Sequence, residues 1–541
     1  MISDQPSFVK TFHEVILRIE ADHGLDLAEK IKRILMESEI PIDLRLSDLM
    51  IKNFSALADR LVEKLDPAER RIFHEVLSDG LKAQKNPLSE IFEEKIVLKK
   101  LSVEERVRSF REVVQEVDLE SAVAEASRCL RCKTPRCVIA CPLNFPVPAY
   151  LSLVSKRRFE EASKLALRIL PTMMICGRIC AAYCEKACTL GQLSGKPVRI
   201  REVKRAVSDK FIKPEHLPDP KNSTGFRIAV IGSGPAGLTA AYHLRILGHE
   251  VTVFEAERRI GGKLITAIPD FRLPSSVVER EINLITSLGI KVRNGVRVGE
   301  DVKLADLLEH EYDAIFIATG CEAPKVPRIP GVNLEGVEPA LKFLKEVKLN
   351  ARKRLEGTVY VIGGGNVAVD AARTALRLGA SSVKMIYRRS RREMPAFEEE
   401  VEDALEEGVE LSYLTQPIEF AGENGRLKQM KCIKMRLGEI GPDGRRIPVP
   451  IRGSEFWVEA NHVVYATGEQ PLVDWVRKGL EVELTDRGTI RVDERLATEV
   501  EGIFAGGDVV RGASDYAFAT ADGIKAAREI DRFLRKRSLS R

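Results

Sequence analysis

The 541-residue chain has no apolar run approaching the roughly 18 residues needed to cross a bilayer, although 44% of its residues are apolar. Its first stretch, MISDQPSFVKTFHEVILRIEADHG, mixes acids into its apolar positions and lacks the basic-then-apolar layout of a secretion signal. Both absences point to a soluble protein of the cytoplasm. Long blocks of one charge are missing too. The 85 basic and 80 acidic residues leave a net charge of +5, which offers no basic surface for nucleic acid. Glutamine is scarce, with seven residues beside abundant Lys, Arg and Glu, a composition seen in thermophiles. Cysteine is scarce outside one region: eight of the ten lie between 129 and 188, while Cys321 and Cys432 stand alone. In a reducing compartment such clustering indicates a metal site rather than a disulfide framework.

The length exceeds what one core supports and implies three or four domains. Residues 1–110 read as amphipathic helices, as in FHEVILRIEADHGLDLAEKIKRILM, punctuated by Pro41, Pro67 and Pro87. They carry no visible chemistry and are expected to be a packing or docking extension. Residues 111–205, the cysteine region, also read as helical. From about 226 onward, strand-like runs alternate with helical ones: FRIAVIG, HEVTVFE, YDAIFIATG, GTVYVIG, SVKMIYRR, HVVYATG and GIFAGGD. Such alternation signals an α/β fold, parallel sheets covered by helices.

One strand, glycine-turn, helix unit occurs twice. In FRIAVIGSGPAGLTAAYHLRILGHEVTVFEAE a strand runs into Gly232, Gly234 and Gly237, then a helix opening at Pro235 and Ala236, then a strand ending at Glu255. The glycines permit the tight turn, the approach of a pyrophosphate and close helix packing, and the acid is placed for a ribose hydroxyl. In GTVYVIGGGNVAVDAARTALRLGASSVKMIYRRS the same unit recurs with Gly363, Gly365, Asn366, Val367 and Ala368. The place of Glu255 is taken by Ile386, followed by Tyr387, Arg388 and Arg389. Arginines where an acid would repel a phosphate point to the 2′-phosphate of NADP, and the expected nucleotide is NADP(H) or NAD(H).

AIFIATG, with Thr319 and Gly320, is expected to return to the first sheet, and HVVYATG, with Gly468, to return there again after the second unit. The NAD(P)H domain is thus inserted in an FAD domain. GIFAGGDVV places Gly507 and Asp508 where a carboxylate can hold the ribityl chain, and a helix starting near Thr520 would point its positive end at the flavin. The expected boundaries are 206–335 for the first part of the FAD domain, 336–462 for the NAD(P)H domain and 463–541 for the remainder.

Taken together, GSGPAGLTAA, IGGKLITAIPDFRLP, GGGNVAVDAAR, YRRSRREMPA and FAGGD resemble the glutamate synthase small-subunit family over about 111–541. That family includes the large subunit of NADH-dependent ferredoxin:NADP oxidoreductase and the N-terminal part of dihydropyrimidine dehydrogenase. The resemblance adds Gly262, Lys263 and Leu264 to the cofactor-binding candidates. It leaves the first hundred residues unexplained.

Cys129, Cys132, Cys137 and Cys141, the last followed by Pro142, have the short spacing of bacterial iron–sulfur ligation, whereas zinc favours paired CxxC motifs. Cys176, Cys180, Cys184 and Cys188 recur every four residues and would form one stripe on a helix. If that helix persists, Cys180 and Cys188 lie about 12 Å apart, too far for one cube, so two clusters are expected. The resemblance implies that Cys129, Cys132, Cys137 and Cys188 hold one [4Fe-4S] cluster and Cys141, Cys180 and Cys184 the other. The family's fourth ligand there is a Gln or Glu, and the aligned residue is Lys204, which leaves Glu202, Cys176 or an open iron. CAAYC is also shorter than the family's equivalent segment.

The expected activity is hydride exchange between nicotinamide and FAD, with single electrons passing between FAD and two [4Fe-4S] clusters. No residue need act as acid or base, so no catalytic side chain is assigned. The expected partner is a catalytic or electron-accepting subunit or ferredoxin. The rival reading, a self-contained flavin reductase of polysulfide or a disulfide, needs a redox cysteine pair, and Cys321 and Cys432 are isolated.

Overall fold

A computed structural model describes residues 8–23, 25–37, 57–83, 91–478 and 480–539; Pro41 and Pro87 lie outside the described residues. The chain forms two compact units, one running to Lys99 and resuming at Glu116–Pro218, the other built from Lys100–Gln115 and Asp219–Arg541.

The first unit is helical. The amphipathic start divides into helices Phe8–His23 and Leu25–Glu37, which bury Ile19 and Ile31. Pro67 opens helix Pro67–Ala83, where its missing N–H costs nothing, and the Asp66 carboxylate caps the turn by accepting from the amides of Ala68 (2.8 Å) and Glu69 (2.9 Å). Here the described part of the extension and the cysteine region share one core. Glu125, fully buried, accepts from the amides of Lys95 (2.7 Å) and Arg199 (2.9 Å), and Arg128 donates to the Ile91 carbonyl (2.8 Å).

The second unit contains two five-stranded sheets. Strands β1 (Arg227–Ile231), β2 (Glu250–Glu255), β3 (Lys291–Asn294) and β4 (Ala314–Ile317) begin the first. The chain leaves through β5 (Ala323–Pro324) and builds the second from β6 (Val337–Pro339), β7 (Thr358–Ile362), β8 (Ser382–Tyr387) and β9 (Glu410–Tyr413). An antiparallel sheet follows, from β10 (Thr415–Glu423), β11 (Arg426–Ile440), β12 (Arg446–Pro450) and β13 (Phe456–Glu459). Then come β14 (His462–Tyr465), β15 (Glu469–Gln470) and β16 (Ile503–Ala505). The orders are β16-β4-β1-β2-β3 and β6-β14-β7-β8-β9, parallel throughout.

One expectation is overturned. HVVYATG does not return to the first sheet: β14 pairs with β6 and β7 of the second. Each glycine-turn unit keeps its own fourth strand beside its first, so β14 stands to β7 as β4 stands to β1. The return is made by β16, after the chain recrosses where β15 pairs antiparallel with β5. The sheet β10–β13 is an addition that no sequence motif announces. Its hairpin turns at Asn424 and Gly425, both at positive φ (51° and 79°), a pair that suits the right-handed twist of the strands.

Buried charge joins the two halves of this unit. Arg373 and Arg377, on the helix Asn366–Arg377 behind β7, both bond Glu407, and the Phe271 ring lies 4.8 and 3.9 Å from their guanidinium carbons. Arg272, beside Phe271, bonds Asp370 on the same helix (2.6 Å). Such a network fixes geometry because removing one partner strands a buried charge.

Candidate functional site

The first glycine turn is shaped by three collisions that a side chain would cause. Gly232 (φ 101°) has room for no Cβ, which would lie 2.5 Å from the Ala318 carbonyl at the end of β4. A Cβ on Gly237 would lie 1.9 Å from the Gly232 carbonyl, and one on Gly262 2.9 Å from Gly234 Cα. Gly234 caps the helix Pro235–Ile246 with open space on its own Cβ side, so the helix N-terminus is accessible there. Glu255 closes the turn from below, accepting from the amides of Ser233 (3.0 Å) and Glu257 (2.9 Å). Its carboxylate therefore orders the turn itself, besides any contact to a ribose.

The other first-site candidates gather around this turn. Lys263 pairs with Glu469 and lies 3.5 Å from Asp508, while Leu264 is buried. Burial raises the Asp508 carboxyl above its ordinary value, against the opposing pull of Lys263. Gly507 packs against Ala236 and donates its amide to Asp522 (2.9 Å). The Thr319 hydroxyl is buried without a hydrogen-bond partner, and Gly320 beside it faces open space. An orphaned hydroxyl, an open helix N-terminus and a glycine cradle fit a bound flavin dinucleotide. The last helix begins earlier than expected, at Tyr516, because Asp515 caps it through the amides of Ala517 (2.9 Å) and Phe518 (3.2 Å). Thr520 thus lies inside the helix, with its hydroxyl donated to the Tyr516 carbonyl (2.7 Å).

The second turn repeats the plan. A Cβ on Gly363 would lie 2.7 Å from the Ala466 carbonyl, and Gly365 caps the helix opening at Asn366 and Val367, with Ala368 fully buried. Asn366 accepts from the Phe397 amide (2.9 Å), which folds residues 387–397 back over the turn. Arg388 and Arg389 differ sharply. Arg388 is exposed, whereas Arg389 is buried and donates to the Arg446 carbonyl (2.7 Å). Partial desolvation, then the neighbouring charges of Arg389 and Arg445, lower the proton affinity of Arg388 although the residue reaches solvent. Arg445 comes from the β11–β12 hairpin, so no local signal near β8 announced it. Gly468 (φ 111°) lies in the connection beside β5, where its carbonyl accepts from the Lys325 amide (2.9 Å).

In the first unit the expected cysteine stripe is broken. The helix Met173–Ile179 ends at Cys180, whose backbone is extended, and Ala182 turns left-handed (φ 51°) before the short helix Tyr183–Lys186. Cys188 then caps a further helix, Thr189–Ser194. Chain breaks, rather than the length of one helix, therefore set the spacing of these four cysteines. Cys129, Cys132, Cys137 and Cys188 line one cavity with Leu130, Val147 and Leu151. Burial pushes the thiols of Cys129 and Cys137 up to about 12, and the neighbouring cysteines add to the effect. Cys132 donates to the Thr189 hydroxyl (3.5 Å), which donates to Asp59 (2.9 Å). Asp59 belongs to the extension, a contact that helical periodicity could not reveal. Around the other group, the Cys176 thiol hydrogen-bonds Cys180 and brings it down to about 6, against the opposing effect of burial. Thiolates are the ligating form, so the buried Lys204 ammonium beside these clustered sulfurs fits an anionic iron–sulfur cluster.

None of the ten cysteines is in a disulfide, and Cys321 and Cys432 sit in separate places. Cys321 donates to the Asp508 carbonyl (3.3 Å), and Cys432 is in the antiparallel sheet. Burial pushes both thiols up to about 12, unlike a reactive pair.

Two paired glycine turns on parallel sheets, together with a cysteine-rich helical unit, define a dinucleotide-dependent flavoprotein oxidoreductase with iron–sulfur centres. Residues 226–525 match the pyridine nucleotide-disulphide oxidoreductase family and residues 106–216 the family described as dihydropyrimidine dehydrogenase domain II, 4Fe-4S cluster. The chain is 36% identical over 455 residues to the glutamate synthase [NADPH] small chain of Azospirillum brasilense, covering 80% of this chain and 93% of that one. It is 40% identical to the beta subunit of the NADP(+)-dependent formate dehydrogenase of Moorella thermoacetica, covering 75% and 61%. It is 33% identical to the beta subunit of the NADPH-Fe(3+) oxidoreductase of Geobacter sulfurreducens, covering 74% and 64%. The chain thus spans less than two thirds of the latter two relatives. FprA, an oxidoreductase from Mycobacterium tuberculosis, shares the fold with a TM-score of 0.51 at 20% identity, over 58% of this chain and 86% of that one. The chain belongs to the pyridine nucleotide-disulphide oxidoreductase family, in its glutamate synthase small-chain group. It is an FAD- and NAD(P)-dependent oxidoreductase with a 4Fe-4S domain. Among the described residues no helix is long and apolar enough to cross a membrane.

Proposed function

We propose that the chain is the NADPH-oxidising electron-transfer subunit of a larger cytoplasmic assembly. NADPH is held at the turn Gly363–Gly365, FAD at the turn Gly232–Gly237, and two [4Fe-4S] clusters by the two cysteine groups. When bound, FAD exchanges a hydride with nicotinamide and single electrons with the clusters. The protein's own residues bind and orient. Gly232 and Gly363 permit the tight turns, Gly234 and Gly365 let the backbone approach phosphates, Arg388 and Arg445 supply positive charge for a 2′-phosphate, and the Lys263, Glu469 and Asp508 cluster fixes the chain around the flavin. The observation that carries this reading is the pair of matched glycine turns in one compact unit, the first with the orphaned Thr319 hydroxyl beside it. The final acceptor or donor lies on a partner subunit or ferredoxin. Support comes from relatives whose names call them small chains or beta subunits.

Anaerobic titration with NADPH tests the proposal. Bleaching of a bound flavin and one-electron reduction of each of two clusters, which together hold about eight irons per chain, are expected. A chain purified anaerobically without flavin, or one whose flavin is reduced by neither nucleotide, would overturn it.

A further inference from the structure

Eight cysteines lie in this region, yet the family resemblance uses only seven as ligands. The eighth, Cys176, is 1% exposed in the first unit. It faces Lys204, 3% exposed, from the helix Ile200–Phe211, whose Nζ lies 3.9 Å from the Cys176 sulfur and 3.9 Å from the centre of the Phe145 ring. The sulfurs that act on this ammonium are those of Cys176, Cys184, Cys180 and Cys141. No ion pair among the described residues gives Lys204 a carboxylate. An ammonium buried without an anion is costly, so the surroundings must supply negative charge. Glu202 is the rival ligand. It binds Arg201 (2.9 Å), lies against Glu185, and keeps one buried oxygen unpartnered.

We propose that the second [4Fe-4S] cluster is held by four cysteines, Cys141, Cys176, Cys180 and Cys184, with Lys204 as its buried counter-cation rather than a ligand. Cys176 takes the coordination place that a Gln or Glu would fill from the Lys204 position. The helix ends at Cys180 and the chain turns at Ala182, and across this break Cys184 neighbours Cys176, Cys180 and Cys141. Lys204 stabilises the more negative, reduced cluster and so raises its potential relative to an uncharged neighbour. This inference rests on the proposed two-cluster function.

The test uses full-length protein purified anaerobically, with iron content, electron paramagnetic resonance of the reduced protein and a redox titration as readouts. Wild type should hold about eight irons. Cys176→Ala should fall to about four, or to about seven with the signal of a three-iron cluster in the oxidised protein, while the other cluster's signal is unchanged. Cys176→Ser, which conserves size, should keep its iron but change the spectrum and lower the potential of that cluster alone. Lys204→Met should lower the same potential without loss of iron. Glu202→Gln should leave both clusters as they are. Cys176 variants with eight irons and wild-type spectra, or loss of the cluster in Glu202→Gln instead, would overturn the ligand assignment. A wild type that binds no cluster iron would overturn the functional reading itself.

Discussion

The two glycine-turn units are the most informative comparison within the molecule. Gly232 and Gly363 both occupy positive φ, and a Cβ on either would strike the carbonyl that follows the unit's fourth strand, Ala318 or Ala466. Gly248 and Gly379 end the two helices with nearly equal φ, 98° and 96°. Backbone constraint is thus repeated almost residue for residue. Side-chain chemistry diverges at many places, among them Gly237 against Ala368 in the helix, Glu255 against Ile386 at the end of the second strand, and His249 against Ala380 before it. What repeats makes a dinucleotide site; what diverges determines which dinucleotide and how tightly each unit is braced.

The largest effect is expected where one unit tolerates a methyl group and the other does not. In the first unit a Cβ at Gly237 meets the Gly232 carbonyl at 1.9 Å and Val230 at 3.3 Å. Gly237→Ala must push the helix away from β1, and overpacking of this kind costs about 1–3 kcal/mol. FAD retention should therefore weaken by about 5- to 150-fold, measured as flavin bound per chain after dilution. Ala368→Gly should change nucleotide binding far less, by under about 1 kcal/mol of helix propensity. Equal effects in both units would break the comparison.

That asymmetry was legible in the sequence, because a glycine at a fixed place between strand and helix marks a close approach of the two backbones. The α/β alternation, the insertion and both turns could be read for the same reason: local residues carry the constraint. Three features could not. The β10–β13 sheet carries no dinucleotide signal, and it contributes Arg445 to the second site from across the fold. The placement of β14 depends on which sheet a strand joins, which its composition does not encode. The cysteine stripe followed a helical period through a segment whose helix ends at Cys180, since spacing alone cannot report a break. In the same way, burial of Arg389 under Arg446 separates two adjacent arginines that look equivalent in sequence.

A smaller effect should divide those arginines. Arg388 is exposed beside Arg445, and a charge-assisted contact to phosphate contributes roughly 1.5–3 kcal/mol, reduced by solvent at an exposed site. Arg388→Ala should lower kcat/KM for NADPH by about 10-fold and leave NADH nearly unchanged, using an artificial electron acceptor. Arg389→Ala removes a bond to the Arg446 carbonyl, so it should loosen the hairpin and lower both nucleotides alike. A selective loss in Arg389→Ala, with none in Arg388→Ala, would reverse the roles assigned to the second unit.

The smallest effect concerns the brace found only in the first unit. His249 is fully buried, with Nε2 3.0 Å from Asp531 on the last helix and Nδ1 2.7 Å from the Thr224 hydroxyl, whereas Ala380 occupies its place in the second unit. Burial lowers its proton affinity below the ordinary value of 6.5, although Asp531 pulls the other way. A depressed value means that the unfolded chain binds the proton first as pH falls. Stability is therefore level above about pH 6.5 and declines as pH drops from there towards the lower folded value, by at most about 1.4 kcal/mol per pH unit. Urea midpoints followed by flavin fluorescence at about pH 7.5 and about pH 5.5 measure this. His249→Leu should be less stable than wild type at the higher pH, because it removes the buried contacts to Asp531 and Thr224, and should lose less on acidification. If both proteins lose the same stability between the two pH values, the acid sensitivity belongs to other groups, and the first unit is no more pH-responsive than the second.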